Sequence, residues 1–81
     1  MIVHRLGAAD GELLFKLNRM FAHAFDDFET YTARAPSTEY VSRLLGREEF
    51  VALAAVEGDE VVGGLGGYEL PKFEQERSEF Y

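Results

Sequence analysis

Seven apolar residues in a row, Phe50-Val51-Ala52-Leu53-Ala54-Ala55-Val56, run straight into the turn-forming Glu57-Gly58-Asp59-Glu60, and a second β-rich stretch, Val61 to Leu70, follows. A continuous apolar run of this length suits a strand covered on both faces. Two such runs joined by a short polar turn make an antiparallel hairpin. The hairpin, over residues 49–57 and 60–70, commits the second half of the chain to sheet until Pro71 ends it. A further strand opens over 77–81.

Upstream, the pattern changes. Ile2 to Leu6 reads as a first strand, closed by Gly7. Asp10 is placed to cap a helix, its carboxylate accepting from the first free amides. Leu14, Leu17, Phe21, Ala24, Phe25 and Phe28 then step by three and four, which predicts a helix over 10–26 with one buried face. Between Asp27 and Pro36 the periodicity lapses and a loop is expected. Ser37 caps a second helix over 38–45, with Tyr40, Val41, Leu44 and Leu45 as its apolar stripe and Gly46 as its stop. The order is β-α-α-β-β-(β), an α/β arrangement in one unit, 1–81, without internal repeats or linkers.

At 81 residues, the chain is one domain or part of one, with little margin of stability. It has no cysteine, which excludes disulfides, thiolate metal sites and a cysteine nucleophile. No apolar run reaches signal-peptide length or the ~20 residues of a membrane span, so a soluble, cytoplasmic chain without a membrane partner is expected. Acidic side chains outnumber basic ones 15 to 8, for a net charge of −7. Nucleic acid is disfavoured as a partner, because phosphate binding needs clustered Lys and Arg. The negative field either attracts cations or serves solubility. The acids cluster in connections, at Asp26, Asp27 and Glu29 and again from Glu48 onward, which favours a cation-binding mouth.

Several motifs carry little. Gly63-Gly64-Leu65-Gly66-Gly67 has neither phosphate-loop spacing nor a following helix, and reads as a bulge or a close approach of backbone or ligand. His4 and His23 have no ligands at metal spacing, so no metal site is expected. Ser37, Ser42 and Ser78 lack a base at recognisable spacing, and no catalytic residue is assigned. Asp26-Asp27-Phe28-Glu29-Thr30-Tyr31 says more. Carboxylates at a helix C-terminus oppose its dipole, which hints at another use. Beside a tyrosine, they can accept from ammonium groups while the ring stacks on a sugar.

The segment Leu70-Pro71-Lys72-Phe73-Glu74-Gln75-Glu76-Arg77-Ser78-Glu79-Phe80-Tyr81 resembles the β3–β4 connection of the type I aminoglycoside 3-N-acetyltransferases, a branch of the GNAT superfamily. Asp27, Thr30-Tyr31, Pro36 and Tyr40 fit the same pattern, as do Leu53-Ala54-Ala55 and Val61-Val62-Gly63. Departures are Glu76 in place of Pro, Phe80 in place of an aliphatic residue, and the doubled Asp26-Asp27. The resemblance spans nearly the whole chain but only about half of a family domain, its N-terminal half, with a mixed and mostly antiparallel sheet.

The resemblance implies acetyl transfer from acetyl-CoA to the 3-amino group of a deoxystreptamine antibiotic, with direct attack by the amine. It implies a cationic aminoglycoside as ligand, met by Asp27, Glu29, Tyr31, Glu74, Glu79 and Tyr81. It also implies that the acetyl-CoA segment lies downstream, so no cofactor-binding residue is assigned here. Two readings stay open: the recognition half of an acetyltransferase, or a non-catalytic protein that associates with itself through an open sheet edge, most simply as a dimer.

Overall fold

The computed structural model describes residues 1–81. Its elements are β1 (Ile2–Arg5), α1 (Gly11–Phe25), a π-helical turn (Glu29–Ala33), α2 (Thr38–Leu45), β2 (Phe50–Glu57), β3 (Glu60–Pro71) and β4 (Ser78–Phe80). The strands form one sheet in the order β1-β2-β3-β4, and every neighbouring pair is antiparallel. The class is α/β, with strand, helices and hairpin in the expected order. No parallel pairing occurs among these four strands.

The hairpin turns through Gly58-Asp59. Gly58 has φ 62°, and Asp26 is the only non-glycine residue with positive φ, so the first central residue alone is left-handed, as in a type II′ turn. Ala55 then faces Gly63 while Val56 faces Val61, which leaves Val62 as the extra residue of a bulge. Beyond it, Gly64 and Gly66 lie opposite Ala54 and Ala52. A Cβ on Gly64 would fall against the Leu53 carbonyl and 2.6 Å from Leu17 Cδ1, and one on Gly67 would lie 2.7 Å from the Phe80 ring. Close packing, of α1 on one side and Phe80 on the other, is what this run of glycines permits.

Leu6, Leu14, Leu17, Val41, Leu45, Ala52, Ala54 and Val61 make the core, between the two α-helices and one face of the sheet. The other face has no layer over it. Val51, Leu53 and Ala55 alternate onto that side and are only half-buried, while Val3, Leu65 and Phe80 are exposed. Coverage of β2 on both faces is therefore not what the chain achieves, because both helices pack on the same side.

The helix stripes also need correction toward their ends. Leu14 and Leu17 are buried and Phe21 half-buried, but Ala24, Phe25 and Phe28 are exposed. Ala22 is fully buried instead, where the π-helical turn packs back on α1. In α2, Val41 and Leu45 are buried, and Tyr40 faces solvent.

Capping follows expectation at one helix and not at the other. Ser37 Oγ accepts from the Tyr40 amide at 3.1 Å. Asp10 precedes α1 without capping it; its Oδ2 accepts from the Gly7 amide at 2.7 Å and ties the end of β1 to the helix start. Asp26 ends α1 with φ 50° and ψ 45°, a left-handed conformation that Asp tolerates better than most residues. Asp27 Oδ1 accepts from the Thr30 amide at 3.1 Å and opens the π-helical turn. Both acids at this helix end thus have a local structural role, and the expected loop is an ordered turn.

Candidate functional site

The glycine run and α1 define a cleft of about 510 Å³ on the helix side of the sheet. Its floor is Gly64-Leu65-Gly66-Gly67, where Gly64 and Gly66 leave backbone exposed on this side. Its walls are aromatic: Phe21 and Phe25 from α1, Tyr31 from the π-helical turn, Phe50 and Tyr68 from the hairpin, and Tyr81 after β4. Phe21 and Phe25 stack at 5.8 Å between centroids, and Tyr31 tilts against them at 5.6 and 6.0 Å. Phe50 and Tyr68, direct partners across the hairpin, lie 5.2 Å apart. Asn18 contributes the amide, and no carboxylate lines the cleft. An apolar concavity of this size with a few polar groups is the usual form of a small-molecule site.

The residues anticipated from sequence divide between its wall and its surroundings. Tyr31 and Tyr81 come together in the cleft, although 50 positions apart in the chain. Asp27 and Glu29 stand in the segment between Phe25 and Tyr31, with Asp27 engaged on Thr30 and Glu29 exposed. Glu79 accepts from the Tyr81 hydroxyl at 2.7 Å and also pairs with Arg77 at 2.6 Å and Lys72 at 3.8 Å. Glu74 lies in the β3–β4 loop, away from the cleft, 3.6 Å from Lys72. The second acidic connection is therefore largely neutralised by its own two cations.

Phe21, Phe25, Phe50 and Tyr68 were not anticipated as site residues, because the first three lie in apolar stretches assigned to the core. The one sequence signal that separates them is an aromatic spacing on α1 opposite a glycine-rich strand, which leaves space beside the rings. A second, larger groove of about 690 Å³ lies between α1 and the hairpin turn. Lys16, Arg19 and His23 face Glu57, Asp59 and Glu60 across it, and Lys16 Nζ donates to the Asp59 carbonyl at 3.3 Å. Its opposed charges face one another, and it lacks the aromatic walls of the cleft.

Comparison with solved structures shows what the chain is similar to. The aminoglycoside acetyltransferase HMB0005, from an uncultured soil metagenomic sample, is 51% identical to this chain with a TM-score of 0.94, over 99% of this chain and 53% of its own. Several structural neighbours of this chain are aminoglycoside acetyltransferases. A second, meta-AAC0020 from an uncultured soil metagenomic sample, is 26% identical with a TM-score of 0.85, over 99% of this chain and 51% of its own, and has been crystallised with trehalose and with sisomicin. The aminoglycoside 6′-N-acetyltransferase of Enterococcus faecium is 27% identical with a TM-score of 0.56, over 90% of this chain and 37% of its own. The chain spans about half the length of the structures it matches, and its α/β architecture is that of the GNAT acetyltransferases. No family model matches the chain, and neither does any curated protein.

GNAT acetyltransferases use acetyl-CoA, whose pyrophosphate calls for free amides or cations at a helix N-terminus. The helix starts of this chain do not offer them. Glu12 stands in the first turn of α1 beside the Asp10 carboxylate, and Glu39 stands in the first turn of α2, where Ser37 already occupies the Tyr40 amide. These residues do not fit the cofactor.

Proposed function

We propose that this chain is the antibiotic-recognition half of an aminoglycoside 3-N-acetyltransferase, holding a deoxystreptamine antibiotic for acetylation at its 3-amino group. The observation that carries the reading is 51% identity to an aminoglycoside acetyltransferase over 99% of this chain, cleft included. The 3-position rests on the resemblance carried by the Leu70–Tyr81 segment.

The chemistry of the cleft suits such a ligand. Aromatic walls accept the C–H face of a sugar or cyclitol ring, with Tyr31 and Tyr81 as the rings that also carry a polar tip. Asp27 and Glu29 supply negative charge beside Tyr31 for ammonium groups. Glu74 and Glu79 contribute less net charge, since an ammonium must share them with Lys72 and Arg77. Exposed ion pairs are worth only ~0–1 kcal/mol each, so binding is weak and falls with salt. Acetyl-CoA and the reaction itself require residues other than these, and the proton acceptor for the amine is not assigned within the chain.

Titration calorimetry with sisomicin against neutral trehalose, at low and high salt, tests the reading. Sisomicin is expected to bind more tightly at low salt, with the advantage shrinking as salt rises. No heat with sisomicin, or equal affinity for the two sugars at low salt, sinks it.

A second reading is a non-catalytic protein that self-associates, most simply as a dimer. The observation that favours it is the uncovered sheet face carrying Val3, Leu65 and Phe80.

A further inference from the structure

The Tyr81 hydroxyl sits in a closed network of charges. It donates to Glu79 Oε2 at 2.7 Å and accepts from Lys72 Nζ at 3.3 Å. Arg77 holds the other carboxylate oxygen of Glu79, Oε1, at 2.6 Å. Lys72 lies between Glu74 and Glu79, at 3.6 and 3.8 Å. A phenol has one hydrogen to donate and two lone pairs to accept with. Here the hydrogen is committed to Glu79 and one lone pair to Lys72. What remains on a side chain lining the cleft is a single lone pair on an oxygen polarised by a carboxylate. Both oxygens of Glu79 are engaged in turn, which leaves it poorly placed to meet a ligand itself.

We propose that Tyr81 is a hydrogen-bond acceptor for a hydroxyl or amino N–H donor of the ligand, and that Glu79 is its positioning residue rather than a direct contact. This rests on the cleft being the antibiotic site. The network sets a specificity rule: a ligand presenting only an acceptor at this point, an ether or carbonyl oxygen, meets an oxygen with no hydrogen to give. Two carboxylates and two cations cancel, so the position selects for a donor and not for positive charge. Charge selection falls to the Asp27–Glu29 side of the cleft.

A double-mutant cycle on the full chain, with sisomicin as probe, separates the alternatives. Tyr81→Phe and Glu79→Gln are each expected to weaken binding about three- to tenfold, the range of one hydrogen bond. Glu79→Gln added to Tyr81→Phe is expected to weaken it no further. Additive losses mean that Glu79 touches the ligand itself and overturn the proposal, as does unchanged binding by Tyr81→Phe. In the free protein, the Tyr81 Cζ resonance is expected to move in Glu79→Gln and to hold in Asp27→Asn; a Cζ resonance indifferent to Glu79 overturns the proposal without any ligand. Absence of sisomicin binding by the unsubstituted chain instead removes the antibiotic site, and this inference with it.

Discussion

Gly64 is the residue at which helix layer and sheet come closest, and it gives the sharpest test at this scale. Leu17, at 1% exposure, is locked by the core and cannot swing away from a new methyl group, and the Leu53 carbonyl belongs to the paired strand. Gly64→Ala is therefore expected to lower stability by about 1–3 kcal/mol, the usual range for overpacking. Urea denaturation measures it, with Gly63→Ala as control, since a Cβ there meets only Ala55 at 4.0 Å. Glu49 offers a test of opposite character. Its own backbone amide and then the Arg47 side chain, at 2.6 Å, hold its carboxyl below the usual range. A carboxyl lowered on folding lends stability above its unfolded pKa and loses it as pH falls through the folded one. Comparing the urea midpoints of wild type and Glu49→Gln, the gap should be present at neutral pH and close on acidification.

Among the elements, α2 is the one whose start depends on a single side chain. Ser37→Ala removes the acceptor for the Tyr40 amide and is expected to cost about 1 kcal/mol, read by urea unfolding and far-ultraviolet circular dichroism. The elements were the legible part of this sequence. The apolar run of β2, the 3.6-residue period along α1, the Gly58 turn and the Ser37 cap are local patterns, and the elements they mark appear in the structure. The cleft was less legible, because an apolar period cannot distinguish a residue facing the core from one facing a cavity. Phe25 fits the stripe of α1 and yet ends exposed beside Tyr31, past the edge of the core. The Asp10 contact was missed for a related reason. A carboxylate before a helix can turn back as easily as forward, and the Gly7 amide was within reach.

The molecule as a whole exposes more surface than its mass warrants. A folded monomer of this mass would expose about 4,900 Å², against the 5945 Å² seen. Its radius of gyration is 13.6 Å, where a compact chain of this length has about 12 Å. The excess is on the order of the ~800 Å² that one partner commits to a stable interface. The outer edge of β3 is open as well, since β4 pairs with it only over Glu69–Pro71. Concentration-dependent association is the expected result of sedimentation equilibrium, and Leu65→Lys, a charge on the uncovered face, should weaken it. A stable monomer at micromolar concentration would argue against this. The helix starts that fail the pyrophosphate predict further that the chain alone releases no thiol from acetyl-CoA in the presence of kanamycin, and a thiol-release assay checks it.

The glycine floor of the cleft has a consequence for how such a site can change over generations. Peptide groups present the same chemistry whatever side chain is encoded, and Gly64 admits no side chain without displacing Leu17 or backbone. Variation in the shape of the cleft is confined to its rim and walls, to positions such as Phe25, Tyr31 and Tyr68, which the core does not hold. One scaffold can thereby change the outline of its cleft while its packing stays constant, because rim positions such as Phe25, Tyr31 and Tyr68 lie outside the core.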